Sequence, residues 1–174
     1  MKRDYLGDSY DMVKRLWREL LQDWAPLYAE PRFIPNALRE QYTKLTQLEM
    51  LPTSCQGKYS VLNDPDTGVR LPGEKNQAEG RTHIRIRTIM DQLRMGARCV
   101  ITFDQSNYRR IGSSSVQRQK KMQELVKEGF DCFYYVSHAP FLFAFPDSGS
   151  CQQLRAILVN AGIPEERLES LTHS

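Results

Sequence analysis

The sequence is poor in the residues that build metal and disulfide sites. Only three of the 174 residues are histidine, and the four cysteines lie far apart without any CxxC spacing. A structural zinc site needs about four such ligands close together, so we do not expect one. Cys99 and Cys132 fall within apolar runs, where a free thiol is a typical small core residue. We therefore expect reduced cysteines and a cytoplasmic protein.

Long apolar stretches and internal repeats are also missing. The sequence contains no run of membrane-spanning length and no secretory hydrophobic region, so we expect a soluble protein without a membrane partner. A length of 174 residues is that of one ordinary domain with a real core. We predict a single domain over residues 1–174.

The net charge of +3 is mild but unevenly distributed. Residues 81–127 contain eleven basic and three acidic side chains, and a surplus of this size is typical either of a surface that binds a polyanion such as nucleic acid or of a solvated helix face. The candidate nucleic-acid-binding residues are Arg85, Arg87, Arg118, Lys120 and Lys121.

Helical and extended patterns alternate along the chain. Asp8 or Ser9 is expected to cap a first helix, whose apolar stripe from Met12 to Trp24 should face the core. The alternation predicts an α/β fold: a three-layer, Rossmann-like, mostly parallel sheet with an antiparallel C-terminal hairpin at its edge. The expected strands cover residues 24–29, 59–62, 99–103, 130–136 and 140–145, and the expected helices residues 9–24, 36–48, 88–95, 113–129 and 151–160.

Acidic residues follow two of the predicted strands. Asp64 and Asp66 lie in the turn DPDTG after a short apolar strand, and Asp104 ends the run CVITF. Ligands of open α/β sheets bind beyond the carboxyl ends of strands. If the two strands are parallel neighbours, the three carboxylates converge and must raise their pKa, pair with lysine or arginine, or bind a divalent cation. The alternative is an Asx-type turn without function.

Asp8, Asp11 and Lys14 follow at steps of three on the first helix, so they share one side of it. They form either a cap with a surface ion pair or a cluster beside the strand ends.

Two polar segments adjoin the same region. Lys75, in a predicted flap over residues 69–80, could reach a substrate anion. Arg109 and Arg110 could clamp a phosphate or pair with Asp104.

These residues support a first hypothesis, a metal-dependent phosphodiesterase or nuclease that acts on nucleic acid or a nucleotide. Mg²⁺ or Mn²⁺ would activate water and neutralise charge on phosphate. A non-catalytic module that binds nucleic acid or protein is an alternative. The assigned roles are catalysis by Asp64, Lys14 and Lys75, metal binding by Asp64, Asp66 and Asp104, and substrate binding by Asp8, Asp11, Gln105, Ser106, Arg109 and Arg110.

The opening Tyr5-x-Gly7-Asp8-x-x-Asp11-x-x-Lys14, together with Asp64-Pro65-Asp66-Thr67-Gly68, resembles an uncharacterised bacterial family with a YxGDxxDxxK opening and a DPD(T/N)G strand end. More distantly, the order of elements resembles class I methyltransferases, in which a strand ends in DPPY or NPPY. Asp64-Pro65 would match the start of that motif, with Asp66-Thr67 in place of the Pro-aromatic pair that would hold a flipped base. Residues 99–103 and 130–145 would match the last strands of that sheet. The resemblance implies a second hypothesis, a methyltransferase-like enzyme or a degenerate cofactor-binding relative. Because no glycine-rich GxGxG turn is present, we do not expect S-adenosylmethionine to bind.

Overall fold

The computed structural model describes residues 6–71, 80–106 and 112–172. Its strands are short, and four of the eight in the described residues are buried along their whole length. In chain order the strands are β1 (Leu27–Ala29), β2 (Ser60–Asn63), β3 (Gly68–Val69), β4 (His83–Ile84), β5 (Cys99–Phe103), β6 (Asp131–Tyr135), β7 (Phe141–Phe145) and β8 (Leu168–Ser170).

Six of these strands form one mixed sheet in the order β1-β2-β5-β7-β6-β8. β1, β2 and β5 are parallel neighbours, with Ser60 opposite Cys99 and Asn63 opposite Thr102. β7 is antiparallel to both β5 and β6, and β8 is antiparallel to β6. Four of the six strands therefore run in one direction. The parallel pairing of β2 and β5 brings the strand ends at Asp64 and Asp104 to the same edge, as the sequence predicts.

Five α-helices surround this sheet in the described residues, which confirms the α/β class. Two 3-10 turns, Asn36–Leu38 and Glu165–Arg167, precede α2 and β8. Buried apolar side chains from helices and strands form one connected core, which includes Cys99 and Cys132 as free thiols. The helices are α1 (Ser9–Leu21), α2 (Arg39–Thr46), α3 (Ile86–Arg94), α4 (Ser114–Lys127) and α5 (Ser148–Asn160).

α1 buries most of its predicted apolar stripe, including Trp17 and Leu21. Met12 and Leu16 are nevertheless 47% and 40% exposed, whereas Asp11 and Lys14 are almost completely buried. The buried face of the helix therefore includes charged residues, because an ion-pair partner for Lys14 is available there. Asp8 is the N-cap and accepts hydrogen bonds from the amides of Tyr10 and Asp11.

α4 also buries only part of its predicted apolar face. Met122 and Leu125 are buried as predicted, but Val116 and Val126 are exposed, and Lys121, predicted to lie outside, is 1% exposed. A buried lysine is tolerated only when its charge is paired, and Lys121 has such a partner in Asp104. The prediction that Lys121 belongs to a nucleic-acid-binding surface is therefore wrong.

The C-terminal half of the sheet also departs from expectation. β6 and β7 pair over five residues, but β7 lies inside the sheet, and β8, which the sequence pattern did not predict, covers β6. β3 and β4 were not predicted either. They form a separate two-stranded parallel sheet, with Gly68 opposite His83. No helix in the described ranges combines the length and apolarity needed to cross a membrane.

The cap of α5 supplies a stability prediction. Asp147, rather than the predicted Ser148 or Ser150, is the N-cap and accepts hydrogen bonds from the amide and the hydroxyl of Ser150, which lower the pKa of Asp147. Asp147→Ala should lower the free energy of unfolding by about 1 kcal/mol. Denaturant unfolding measures this change. The exposed Ser148 is the matched control, and an equal loss in Ser148→Ala would contradict the assignment.

Candidate functional site

A pocket of about 350 Å³ opens at the carboxyl edge of β2 and β5. Asp64 and Pro65 follow β2 directly, and Gln105 lies two residues after β5. The first turns of α1 close one side, and the chain leading into β4 closes another. The lining residues are Asp8, Tyr10, Lys14, Asp64, Pro65, Asp66, Thr67, Thr82, Phe103 and Gln105.

Lys14 is the centre of a buried ion triad on the wall of this pocket. Its Nζ donates to Asp11 Oδ1 at 2.9 Å and to Asp64 Oδ2 at 2.7 Å. Asp11 is oriented by the amide of Gly7, which donates to Asp11 Oδ2 at 2.7 Å. The structure thus places Lys14 and Asp11 beside the strand end, as one of the two interpretations of the sequence predicts.

Opposing effects act on the Lys14 ammonium. Burial lowers its pKa, but the charges and hydrogen bonds of Asp64 and Asp11 outweigh burial and raise the pKa above the usual lysine value. Lys14 is therefore protonated at neutral pH and cannot act as a general base there. The ring of Tyr42 lies 5.5 Å from the Lys14 ammonium. Burial and the charges of Asp64 and Asp11 raise the pKa of Tyr42 well above its usual value.

Asp104 is the centre of a second buried network. Its Oδ2 accepts from Lys121 Nζ at 2.6 Å and from the Tyr134 hydroxyl at 2.7 Å. Its Oδ1 lies 2.5 Å from Ser106 Oγ and accepts from the amide of Val69 at 2.8 Å. Burial and the negative charge of Asp104 raise the pKa of Tyr134. All of these partners are buried, so Asp104 is directed into the protein rather than into the pocket.

The Asp104 network also holds the turn that carries Asp64. Besides the Val69–Asp104 hydrogen bond, the amide of Gln105 donates to the carbonyl of Thr67 at 2.9 Å, and Ser106 Oγ donates to the carbonyl of Val69 at 2.8 Å. Gly68 has a φ of +141°, and a Cβ there would lie 2.8 Å from Cα of Asp104. The glycine of DPDTG is therefore required by the close approach of the turn to Asp104.

The three predicted metal ligands are not brought together as a metal-binding group. Each of two carboxylates has its own lysine, Lys14 for Asp64 and Lys121 for Asp104. Asp66 lies in the same turn and is exposed. Throughout residues 6–71, 80–106 and 112–172, no group of three or more Asp, Glu, His or Cys side chains is arranged to hold a metal ion. We derive no chemical step through Mg²⁺ or Mn²⁺.

The remaining predicted binding residues are dispersed. Arg118 donates from Nε to Glu169 Oε2 at 2.8 Å, so its charge is compensated. Arg85 is the half-buried N-cap of α3, whereas Arg87 and Lys120 are exposed. Among the described basic residues, Arg118 and Lys121 therefore both have a carboxylate partner. Lys75, Arg109 and Arg110 lie outside the described residues.

The sequence patterns did not identify several residues of the pocket and of the Asp104 network. Tyr10 lies four residues before Lys14, on the same side of α1, and this spacing could have identified it. Phe103 was assigned only to a strand. Tyr134 and Lys121 could not be found as partners of Asp104, because 30 and 17 residues separate them from it.

Comparisons of the chain with protein-family models, with curated proteins and with solved structures find no match. The assignment of function therefore depends on the chemistry of the pocket alone.

Proposed function

We propose that the protein binds an amino-bearing nucleobase, in a nucleotide or a nucleic acid, in this pocket, and that Asp64 is the carboxylate that accepts a hydrogen bond from the amino group of the base. The observation that carries the proposal is the ion triad of Asp11, Lys14 and Asp64 at the pocket wall. Buried ion pairs contribute little net stability. A strongly perturbed, charge-paired group in a cleft is instead typical of functional sites.

The charge of the pocket favours a base over a phosphate. Among the described residues, three carboxylates, Asp8, Asp64 and Asp66, line it together with one ammonium, Lys14. The Lys14 ammonium is already shared between two carboxylates, so a phosphate would have to compete for it. An uncharged base with amino donors avoids this repulsion and supplies hydrogens to the carboxylates.

The shape and lining of the pocket suit the same ligand. A volume of about 350 Å³ lies within the usual range of small-molecule sites. Tyr10, Phe103 and Pro65 provide flat apolar surface, and Thr67 and Thr82 provide hydroxyls. Aromatic and apolar walls with hydrogen-bonding groups for the base edge are the features by which proteins hold an extruded base.

In this arrangement Asp64 accepts a hydrogen bond from the amino group of the base. Lys14 fixes the orientation of the Asp64 carboxylate through the 2.7 Å contact. Asp11 shares the Lys14 ammonium through a second hydrogen bond of 2.9 Å. Lys14 is thus a positioning residue for Asp64.

The proposal is closer to the methyltransferase-like hypothesis than to the phosphodiesterase hypothesis. The strand that ends at Asp64-Pro65 is followed across the sheet by β5, by β7, which runs in the opposite direction, and by β6, which runs in the same direction as β5. This succession supports the match of residues 99–145 to the last strands of such a sheet, and we infer a Rossmann-like three-layer arrangement from it. The chain after β1 reads Glu30-Pro31-Arg32, without a glycine to approach a cofactor. We derive no methyl-transfer step.

The proposal is tested by asking whether the protein prefers bases that carry an exocyclic amino group, and whether this preference depends on Asp64. The wild-type protein should bind cytidine or adenosine more tightly than uridine, which lacks the exocyclic amino group. Asp64→Asn should weaken that binding about tenfold, because a hydrogen bond to a charged acceptor contributes roughly 1.5–3 kcal/mol. Isothermal titration calorimetry measures both effects.

Asp91→Asn is the matched control, because Asp91 is an exposed carboxylate on α3 whose loss should leave nucleoside binding unchanged. Equal affinity for uridine, or full affinity in Asp64→Asn, would contradict the proposal. Cleavage of a phosphodiester that depends on added Mg²⁺ or Mn²⁺ and on Asp64 would favour the phosphodiesterase hypothesis instead.

A further inference from the structure

Three aromatic rings form a column beside the pocket, which we call the aromatic ledge: Phe103, Tyr10 and His138. The ring centroids of Phe103 and Tyr10 are 5.4 Å apart, and those of Tyr10 and His138 are 5.6 Å apart with an interplanar angle of 29°. Phe103 is buried, Tyr10 half-buried and His138 exposed. The column therefore begins in the core and ends at an exposed ring.

Gln105 holds the ledge in place. Its Nε2 donates to the Tyr10 hydroxyl at 2.6 Å and to the carbonyl of His138 at 2.9 Å. One exposed side chain thus joins α1 to the turn between β6 and β7. Tyr10, Phe103 and Gln105 also line the pocket, so the ledge continues the pocket wall outward.

We propose that the ledge stacks a second base, adjacent to the base in the pocket, so that the ligand is a single-stranded nucleic acid rather than a free nucleotide. This inference rests on the proposed function of the pocket. Stacking on an aromatic ring is the usual way in which proteins hold successive bases of a single strand. The outer face of His138 extends a column that Gln105 has already ordered. A duplex could not use it, because its bases are stacked on one another.

The distribution of charge around the pocket is compatible with a bound nucleic-acid strand. The acidic groups lie in the pocket, where the base enters, whereas Arg81 is exposed at the rim, its carbonyl accepting from the amide of Asp66 at 3.0 Å. A single-stranded nucleic acid that inserts one base into the pocket and stacks the next base on the ledge can direct its phosphates toward solvent and the rim of the pocket. It thereby avoids the carboxylates that would repel a phosphate in the pocket.

The experiment compares two probes, cytidine monophosphate and a short single-stranded oligocytidylate, in ribose and deoxyribose forms, by fluorescence anisotropy or calorimetry. The wild type should bind the oligonucleotide at least tenfold more tightly than the mononucleotide. His138→Ala should weaken oligonucleotide binding roughly 5- to 100-fold, the range measured for loss of one base stack. Mononucleotide binding should be unchanged, because His138 does not line the pocket.

His138→Phe is the matched variant, since it keeps a stacking ring and removes the titratable group, and it should retain oligonucleotide binding. An equal loss in His138→Phe and His138→Ala would show a contact other than stacking and overturn the inference. Equal affinity of the wild type for both probes would also overturn it while leaving the base pocket intact. Binding of neither probe would overturn the proposed function itself.

Discussion

Lys121→Met should lower the free energy of unfolding by about 3–5 kcal/mol, the cost of leaving a buried charge without its partner. Lys121 and Asp104 are each 1% exposed at the side chain, and their charged atoms are 2.6 Å apart. Methionine fills a similar volume, so the loss reports the missing charge rather than a cavity. The Tyr134 hydroxyl and the amides of Ser106 and Val69 would still donate to Asp104, but none of them neutralises its charge.

Lys120→Met is the control, because the adjacent Lys120 is exposed and its replacement should change stability by less than about 0.5 kcal/mol. Chemical denaturation followed by circular dichroism measures both variants. A loss in Lys121→Met no larger than that in Lys120→Met would show that the Asp104 network does not depend on the ammonium. A double variant, Lys121→Met with Asp104→Asn, should recover part of the stability, since it removes the unpaired charge.

Gly68→Ala should have an effect of comparable size, about 3 kcal/mol or more. Two costs add at this position. The φ of +141° lies in a region that costs a residue with a Cβ roughly 1–3 kcal/mol. The added Cβ would also overlap Asp104 Oδ1 and lie 2.8 Å from its Cα, in a buried network that cannot move without losing hydrogen bonds. The turn that carries Asp64 should therefore detach from β5.

The variant Gly162→Ala separates the cost of the backbone conformation from the cost of the overlap with Asp104. Gly162 has a φ of +90°, but a Cβ there meets nothing within 4 Å, so only the backbone cost of about 1–2 kcal/mol should appear. The difference between the two variants measures the overlap with Asp104. In addition, Gly68→Ala should weaken nucleoside binding and Gly162→Ala should not. Equal stabilities of the two variants would contradict the close approach of the turn to Asp104.

Asp104 matters to the pocket although it does not line it, because it holds the turn that carries Asp64. Asp104 anchors the amide of Val69, and its neighbour Gln105 anchors Thr67. The segment between Asp64 and Val69 is therefore held at its far end by a network that belongs to β5, α4 and β6. The chain places Asp64 correctly only when that network is complete.

The sequence patterns located most elements because local physics determines them. The apolar runs at β2, β5, β6 and β7 and the start of α1 at Asp8 follow from propensity and capping, and the structure confirms them. β3, β4 and β8 have two or three residues each. Such short strands are stabilised mainly by their partners, so a local pattern identifies them poorly, although the three-residue β1 was predicted within residues 24–29.

The apolar stripes of α1 and α4 predicted only part of the buried helix faces. Trp17 and Leu21, and Met122 and Leu125, are buried as predicted. In both helices, however, a lysine is also buried, while Met12 and Leu16, or Val116 and Val126, remain exposed. Apolar periodicity predicts the buried face when burial of apolar area contributes most of the packing energy of a helix. Here a buried carboxylate at the edge of the sheet pairs with each lysine, and the helix sequence gives no sign of this attraction.

Local patterns were enough to predict the order of most elements and the acidic ends of β2 and β5, which meet at one edge because the two strands are parallel. The roles of those acids were settled by packing between distant segments. Packing directed Asp64 toward the pocket with Lys14, and Asp104 into the interior with Lys121. The physical reason is that a carboxylate's function depends on the charge beside it. In both pairs that charge comes from a helix distant in sequence, 50 residues before Asp64 and 17 residues after Asp104.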